Sequence, residues 1–177
     1  MAERYVALMR GINVGGNNKL SMRDLAALFE EAGCSRVVTY IQSGNVIFDA
    51  KATIVKKLAG VISARIKEKF GLSVPIVLRT RHDLLDAEKG NPFPTPARER
   101  VYVMFLRDKP SAGAILQLDP NRSPGDTFKV VGSSIFMLCE NAAKTKLTNA
   151  YFDSKLSTIS TSRNWRTVLK LVEMVNA

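Results

Sequence analysis

Arg36-Val-Val-Thr-Tyr-Ile-Gln-Ser-Gly-Asn-Val-Ile-Phe48 decides the fold. Its first half is β-branched and aromatic, its second half is a short apolar run, and Ser43-Gly44 between them is turn chemistry. The stretch reads as a β-hairpin with strands over 36–42 and 45–48. On its N-terminal side, Arg4–Arg10 alternates, with Tyr5, Ala7 and Met9 on one face and Val6 and Leu8 on the other. Both faces are apolar, which suits an inner strand. A turn-rich loop over 11–19 leads to a helix. Ser21 is its N-cap and Asp24 completes a short capping box, while Leu20 and Leu25 form a hydrophobic staple. Met22, Leu25 and Phe29 share one helix face, and Gly33 stops the helix. On the C-terminal side, Val55, Leu58, Ile62 and Ile66 mark a helix from about 53 to 70, closed by Gly71 and followed by a strand over 74–78 entered through Pro75.

The element order is therefore β-α-β-β-α-β, the ferredoxin-like order. A short helix over 82–89 leaves the unit. Pro92, Pro94 and Pro96 then interrupt regular structure and mark an internal boundary. The remainder predicts a strand over 100–106, a short helix over 111–117, a hairpin over 128–131 and 134–139, a helical turn over 151–156, and an amphipathic helix over 163–175 capped by Ser162. The expectation is an α+β protein of two subdomains: a ferredoxin-like plait over residues 1–90, and a smaller β-α-β-β-α subdomain over 91–177.

Composition narrows the chemistry. The 177 residues carry 26 Lys and Arg against 16 Asp and Glu, a net charge of +10, with one His and two Cys. One His and two distant Cys exclude a classical zinc site and a disulfide scaffold. Cys34 and Cys139 each sit among apolar neighbours and are expected as buried, reduced thiols. No apolar signal region is visible, and the apolar runs fall far short of the roughly 20 residues of a membrane helix. The expected setting is cytoplasmic and away from membranes, with no metal and no cofactor. Oligomeric state is not legible.

Two segments carry candidate site residues. Gly11-Ile-Asn-Val-Gly-Gly16 has the Gly-x-x-x-x-Gly opening of a phosphate loop, but Asn17 and Asn18 stand where that loop needs Lys and a hydroxyl, so a P-loop NTPase is excluded. Glycine and asparagine still tolerate positive φ and let backbone N–H groups converge on an anion. The alternative is that they only turn the chain. No carboxylate lies between residues 4 and 23. The second segment, Ser157–Thr167, is rich in hydroxyls and reads as a helix start, where unpaired N–H groups suit a phosphate or carboxylate. From Asn141 to Ala177 there are six basic residues and two acidic ones. Trp165, on the apolar stripe, reads as core. His82 reads as surface, and Asp83 and Asp86 as a solvated helix face. The candidate ligand-binding set is Arg10, Asn13, Gly15, Gly16, Asn17, Lys19, Ser43, Gly44, Asn45, Thr161, Ser162, Arg163 and Asn164. No catalytic residue is assigned.

Arg10-Gly-Ile-Asn-Val-Gly-Gly16, Lys19-Leu-Ser-Met22, Thr39-Tyr-Ile-Gln-Ser-Gly-Asn-Val46 and Thr161-Ser-Arg-Asn-Trp-Arg-Thr167 together resemble the bacterial domain-of-unknown-function 1697 family. The resemblance implies a two-subdomain α+β protein with a ferredoxin-like N-terminal half. It implies no activity, because the family has none established. Where the family reads Arg-Asn-Trp-Asn-Thr, this chain has Arg166, which makes that segment more basic.

The functional expectation is a binding module for an anionic ligand, a nucleotide, phosphate compound or nucleic acid. The spaced aromatics of an RNA-recognition sheet are missing, since only Phe48 stands near the expected strand positions. A metal-independent enzyme on a small phosphorylated or carboxylated substrate is the first alternative, without a visible nucleophile–base pair. A structural or interaction protein with a basic surface is the second.

Overall fold

The hairpin at 36–48 forms and builds the first sheet around it. β2 (Ser35–Tyr40) pairs antiparallel with β3 (Asn45–Lys51), with Tyr40 opposite Asn45. β3 lies against β1 (Ala2–Met9), with Leu8 opposite Asn45, and β1 lies against β4 (Ile76–Thr80). The order is β2-β3-β1-β4. With α1 (Met22–Glu31) after β1 and α2 (Ala52–Phe70) after β3, this is the ferredoxin-like plait. The structure is a computed structural model that describes residues 1–177, apart from the side chains of 95 and 96. The chain divides into two compact units, Met1–Leu84 with Glu173–Ala177, and Leu85–Val172. The division falls inside α3 (Arg81–Lys89) and again between Val172 and Glu173.

Side-chain alternation explains the first core. Tyr5, Ala7 and Met9 of β1 and Phe48 of β3 meet Phe29 of α1 and Leu58, Ile62 and Ile66 of α2. Phe48 sits between two rings, with centroids 5.8 Å from Tyr5 and 5.2 Å from Phe29. The residues of opposite parity, Val6, Leu8, Ile47 and Val77, are buried as well, so the central strands are covered on both faces. Ser21 caps α1 by accepting from the Asp24 N–H at 3.0 Å. Pro75 falls just before β4, an edge strand, where its missing N–H breaks no ladder.

The second unit holds β5 (Val101–Leu106), α4 (Ala112–Leu116), β6 (Thr127–Val131), β7 (Ser134–Leu138), α5 (Asn149–Leu156), β8 (Ser160–Asn164) and α6 (Trp165–Asn176) as far as Val172. Its sheet runs β6-β7-β5-β8, which repeats the first sheet position for position. The strand β8 corrects the sequence reading. Residues 160–164 were expected at or before a helix start, with Ser162 as the cap. Instead they extend along β5, from Leu106 opposite Ser160 to Tyr102 opposite Asn164. The hydroxyls of Ser160 and Thr161, which read as loop chemistry, are satisfied inside the fold. Ser160, fully buried, donates to Asp153 Oδ1 at 2.6 Å and accepts from Asn149 Nδ2 at 2.8 Å. The helix begins at Trp165, and Asn164 Oδ1 caps it by accepting from the Thr167 N–H at 2.8 Å.

The equivalent strands of the two units end alike. Arg79 of β4 lies opposite Val6 and Arg163 of β8 opposite Val103, each on a strand that runs directly into a helix. Thr80 caps α3 as Asn164 caps α6, with Asp83 returning a bond to the Thr80 N–H at 2.8 Å. Asp83 is therefore a capping residue. Asn164→Ala should lower stability by about 1 kcal/mol, and Ser162→Ala by less than about 0.5 kcal/mol, measured by urea unfolding. The reverse ranking would restore Ser162 as the cap.

Candidate functional site

In the first unit the Gly/Asn loop is a miniature hairpin. The Asn13 N–H donates to the Asn18 carbonyl at 3.1 Å and the Asn17 N–H to the Val14 carbonyl at 3.0 Å. Gly15 and Gly16, at φ of 59° and 77°, supply the two positive-φ positions of a tight primed turn. Buried Ile12 and Leu20 anchor its base in the core. Asn13 stitches the base together: its Nδ2 donates to the Leu20 and Gln42 carbonyls, both at 2.8 Å, and its Oδ1 accepts from the Leu20 N–H at 2.9 Å. Asn18 Nδ2 donates to the Gly11 carbonyl at 2.8 Å. The two asparagines thus hold the loop's own backbone. Gly15, Gly16, Asn17 and Lys19 are exposed at its outer part, and Arg10 is half-buried with its N–H on the Pro75 carbonyl.

The Ser43–Asn45 segment joins this end of the sheet. Asn45 is fully buried, and its Nδ2 donates to the Tyr40 carbonyl at 2.9 Å and to Ser43 Oγ at 3.4 Å. The Gly44 carbonyl accepts from the Met9 N–H at 2.9 Å. The ends of β1 and β3 meet here as the strand order requires. At Gly44, with φ +86°, an added Cβ would lie 2.6 Å from Ile12 Cδ1 and 2.7 Å from Met9 Cβ.

In the second unit the four predicted residues of β8 divide between two sheet faces. Thr161 and Arg163 lie opposite Phe105 and Val103, whereas Ser162 and Asn164 lie opposite Met104 and Tyr102. Arg163 is only 7% exposed, and its Nη1 donates to Thr161 Oγ1 at 2.9 Å and to the Ser162 carbonyl at 2.8 Å. Burial pulls its pKa down to about 10, which leaves it a cation at neutral pH. The Arg79 pKa is lowered by the same cause, opposed by the charge of Asp83.

Asn164 faces the other way and lines a cavity of about 500 Å³ together with Arg98, Glu99, Tyr102, Trp165, Arg166 and Leu169. Two guanidinium groups and one carboxylate frame it, with two aromatic rings and an amide. Of this set, the sequence reading marked Asn164 as a site residue and Arg166 as an added charge. It missed Arg98 and Tyr102, because the pairing that brings Tyr102 to Asn164 runs through β8. Trp165, read as core, is indeed buried and also forms part of this wall. Neither thiol offers a nucleophile. Both cysteines are free and buried, and burial raises the Cys34 pKa to about 11 and pushes Cys139 up as well. Among the described residues, no group of three or more His, Cys, Asp or Glu side chains could hold a metal ion, and no helix is long and apolar enough to cross a membrane.

The model of the family described as "Protein of unknown function (DUF1697)" matches residues 2–136, about three quarters of the chain. The chain belongs to the DUF1697 family. The match ends within β7, so the second strand–helix junction at Asn164 lies beyond it. A solved structure extends the comparison to the whole chain. The conserved bacterial protein SP0830 from Streptococcus pneumoniae is 25% identical, covers 100% of both chains, and superposes with a TM-score of 0.70. No curated protein matches.

The glycines of the first unit separate by what surrounds them. Gly44→Ala should cost about 1–2 kcal/mol for the left-handed backbone and a further 1–3 kcal/mol or so for overpacking. Gly15→Ala, with nothing within 4 Å of an added Cβ, should incur only the backbone cost. Denaturant midpoints check this, and equal losses would contradict it.

Proposed function

We propose that the protein is a binding module for a small anionic ligand, a nucleotide or another phosphate compound, held in the second unit. The observation that carries this reading is the cavity of about 500 Å³ framed by Arg98 and Arg166 against the single carboxylate of Glu99, with Tyr102, Asn164 and Trp165 beside them. Its size suits a small molecule. Guanidinium groups match phosphate oxygens in charge and in planar geometry, so two of them near one cavity favour a phosphate over a neutral ligand. Aromatic rings and an amide supply what a base or sugar needs alongside. The net charge of +10 draws anions toward the chain from a distance. In this reading Gly15, Gly16 and Lys19 are a separate exposed tip, and Asn13 and Asn45 serve the backbone around them. No catalysis is assigned.

The chain's single tryptophan, Trp165, stands in the cavity wall and reports on it directly. Titration with inorganic phosphate, nucleoside monophosphates and nucleoside diphosphates should change its fluorescence and saturate at one site per chain. Arg166→Ala should weaken binding by about ten- to a hundredfold, the worth of one charge-assisted hydrogen bond. A single-stranded nucleic acid would instead give a log–log salt slope near −0.7 per phosphate contacted. Failure of every anion to bind below about millimolar at low salt would leave an interaction protein whose charge serves solubility.

A further inference from the structure

A second cavity, of about 450 Å³, shares Tyr102 and Asn164 with the first. These two residues are direct cross-strand partners on β5 and β8, so one side-chain pair contributes to the walls of both spaces. The chemistry changes across that pair. Met104, Met137, Cys139 and Leu147 supply the apolar lining on the second side, with Ala142 and Ala143 from the loop beyond β7. No charged side chain lines it among the described residues. Three of its polar members are engaged within the fold. Thr145 donates to Asp126 at 2.6 Å, Thr148 accepts the Tyr151 N–H at the start of α5, and Asn149 donates to Ser160. Cys139 stays a neutral thiol, because burial pushes its pKa up.

The loop wall is held in place. Burial would raise the Asp126 pKa, but hydrogen bonds from Ser123, Thr145 and the Glu140 N–H outweigh it and keep the carboxylate below its ordinary value. That carboxylate ties residues 123, 140 and 145 together. The cavity therefore offers uncharged surface, apolar along Met104, Met137, Cys139 and Leu147, next to a pair of guanidinium groups. Unbranched methionines adapt to a flexible apolar group.

We infer that the ligand is an amphipathic phosphate ester, its phosphate between Arg98 and Arg166 and its apolar chain carried past Tyr102 and Asn164 into the methionine-lined cavity. The inference rests on the anion-binding reading above and adds the class of ligand.

Calorimetric titration of the full chain with methyl phosphate and hexyl phosphate tests it. Hexyl phosphate should bind at least tenfold more tightly, within a ceiling of about fourfold per buried methylene. Arg166→Ala should weaken both esters. Ala143→Phe, placed on an exposed loop, should remove the advantage of the hexyl chain and leave methyl phosphate unchanged. Ala142→Leu provides the same block should the phenylalanine variant fail to fold. Equal affinity of the two esters for the wild type, or a chain-length advantage that survives both blocks, would overturn the inference while the anion reading stands. Absence of binding by either ester would overturn both.

Discussion

Each sheet depends on a central strand that is covered on both faces. Val6 and Leu8 are as buried as Ala7 and Met9, and Val103 and Phe105 as buried as Met104 and Leu106. A strand in that position cannot tolerate a register slip, because a shift by one residue exchanges its two faces. The hairpins β2–β3 and β6–β7 cover one edge of each central strand. The return strands β4 and β8 cover the other. What the return strand carries then decides what stands at the sheet end.

The two return strands end on one pattern with different surroundings. Each places a buried arginine opposite a central valine, and each follows it with a residue that caps the next helix. At the first, Thr80 and Asp83 close the helix start on each other. At the second, Asn164 caps α6 and also faces the cavity shared with Arg98, Tyr102 and Arg166. The buried cation Arg163 donates through Nη1 to its own strand, and its charge lies on the opposite sheet face from the cavity. The alternation of β8 thus leaves the exposed Arg166, rather than Arg163, as the basic group of β8 and its helix that lines the cavity.

Much of the first unit was legible because its local signals agree with one another. Apolar alternation in residues 4–10, the Ser43-Gly44 turn, the Ser21 cap and Gly71 all point to the same plait. Residues 160–164 were not legible for a physical reason. Ser, Thr, Ser, Arg and Asn carry no apolar alternation and a single β-branched residue, Thr161, and their strand exists because β5 and the Asp153–Ser160–Asn149 bonds accept it. The candidate site suffered from the same gap. Asn13 and Asn45 drew notice as polar groups in a suspicious loop, and they prove to bond the backbone of that loop and hairpin. Tyr102 drew none, since a tyrosine in an alternating strand looks like ordinary packing until its partner across the sheet is known.

The central claim is that the anion site lies at the β8–α6 junction and not at the Gly/Asn hairpin. Backbone amide chemical shifts of the isotope-labelled chain, followed while inorganic phosphate is added, test it most directly. The account predicts saturable shifts at Arg98–Tyr102 and Asn164–Leu169, with the Gly11–Lys19 amides unmoved. Saturable shifts confined to Gly11–Lys19 would contradict it.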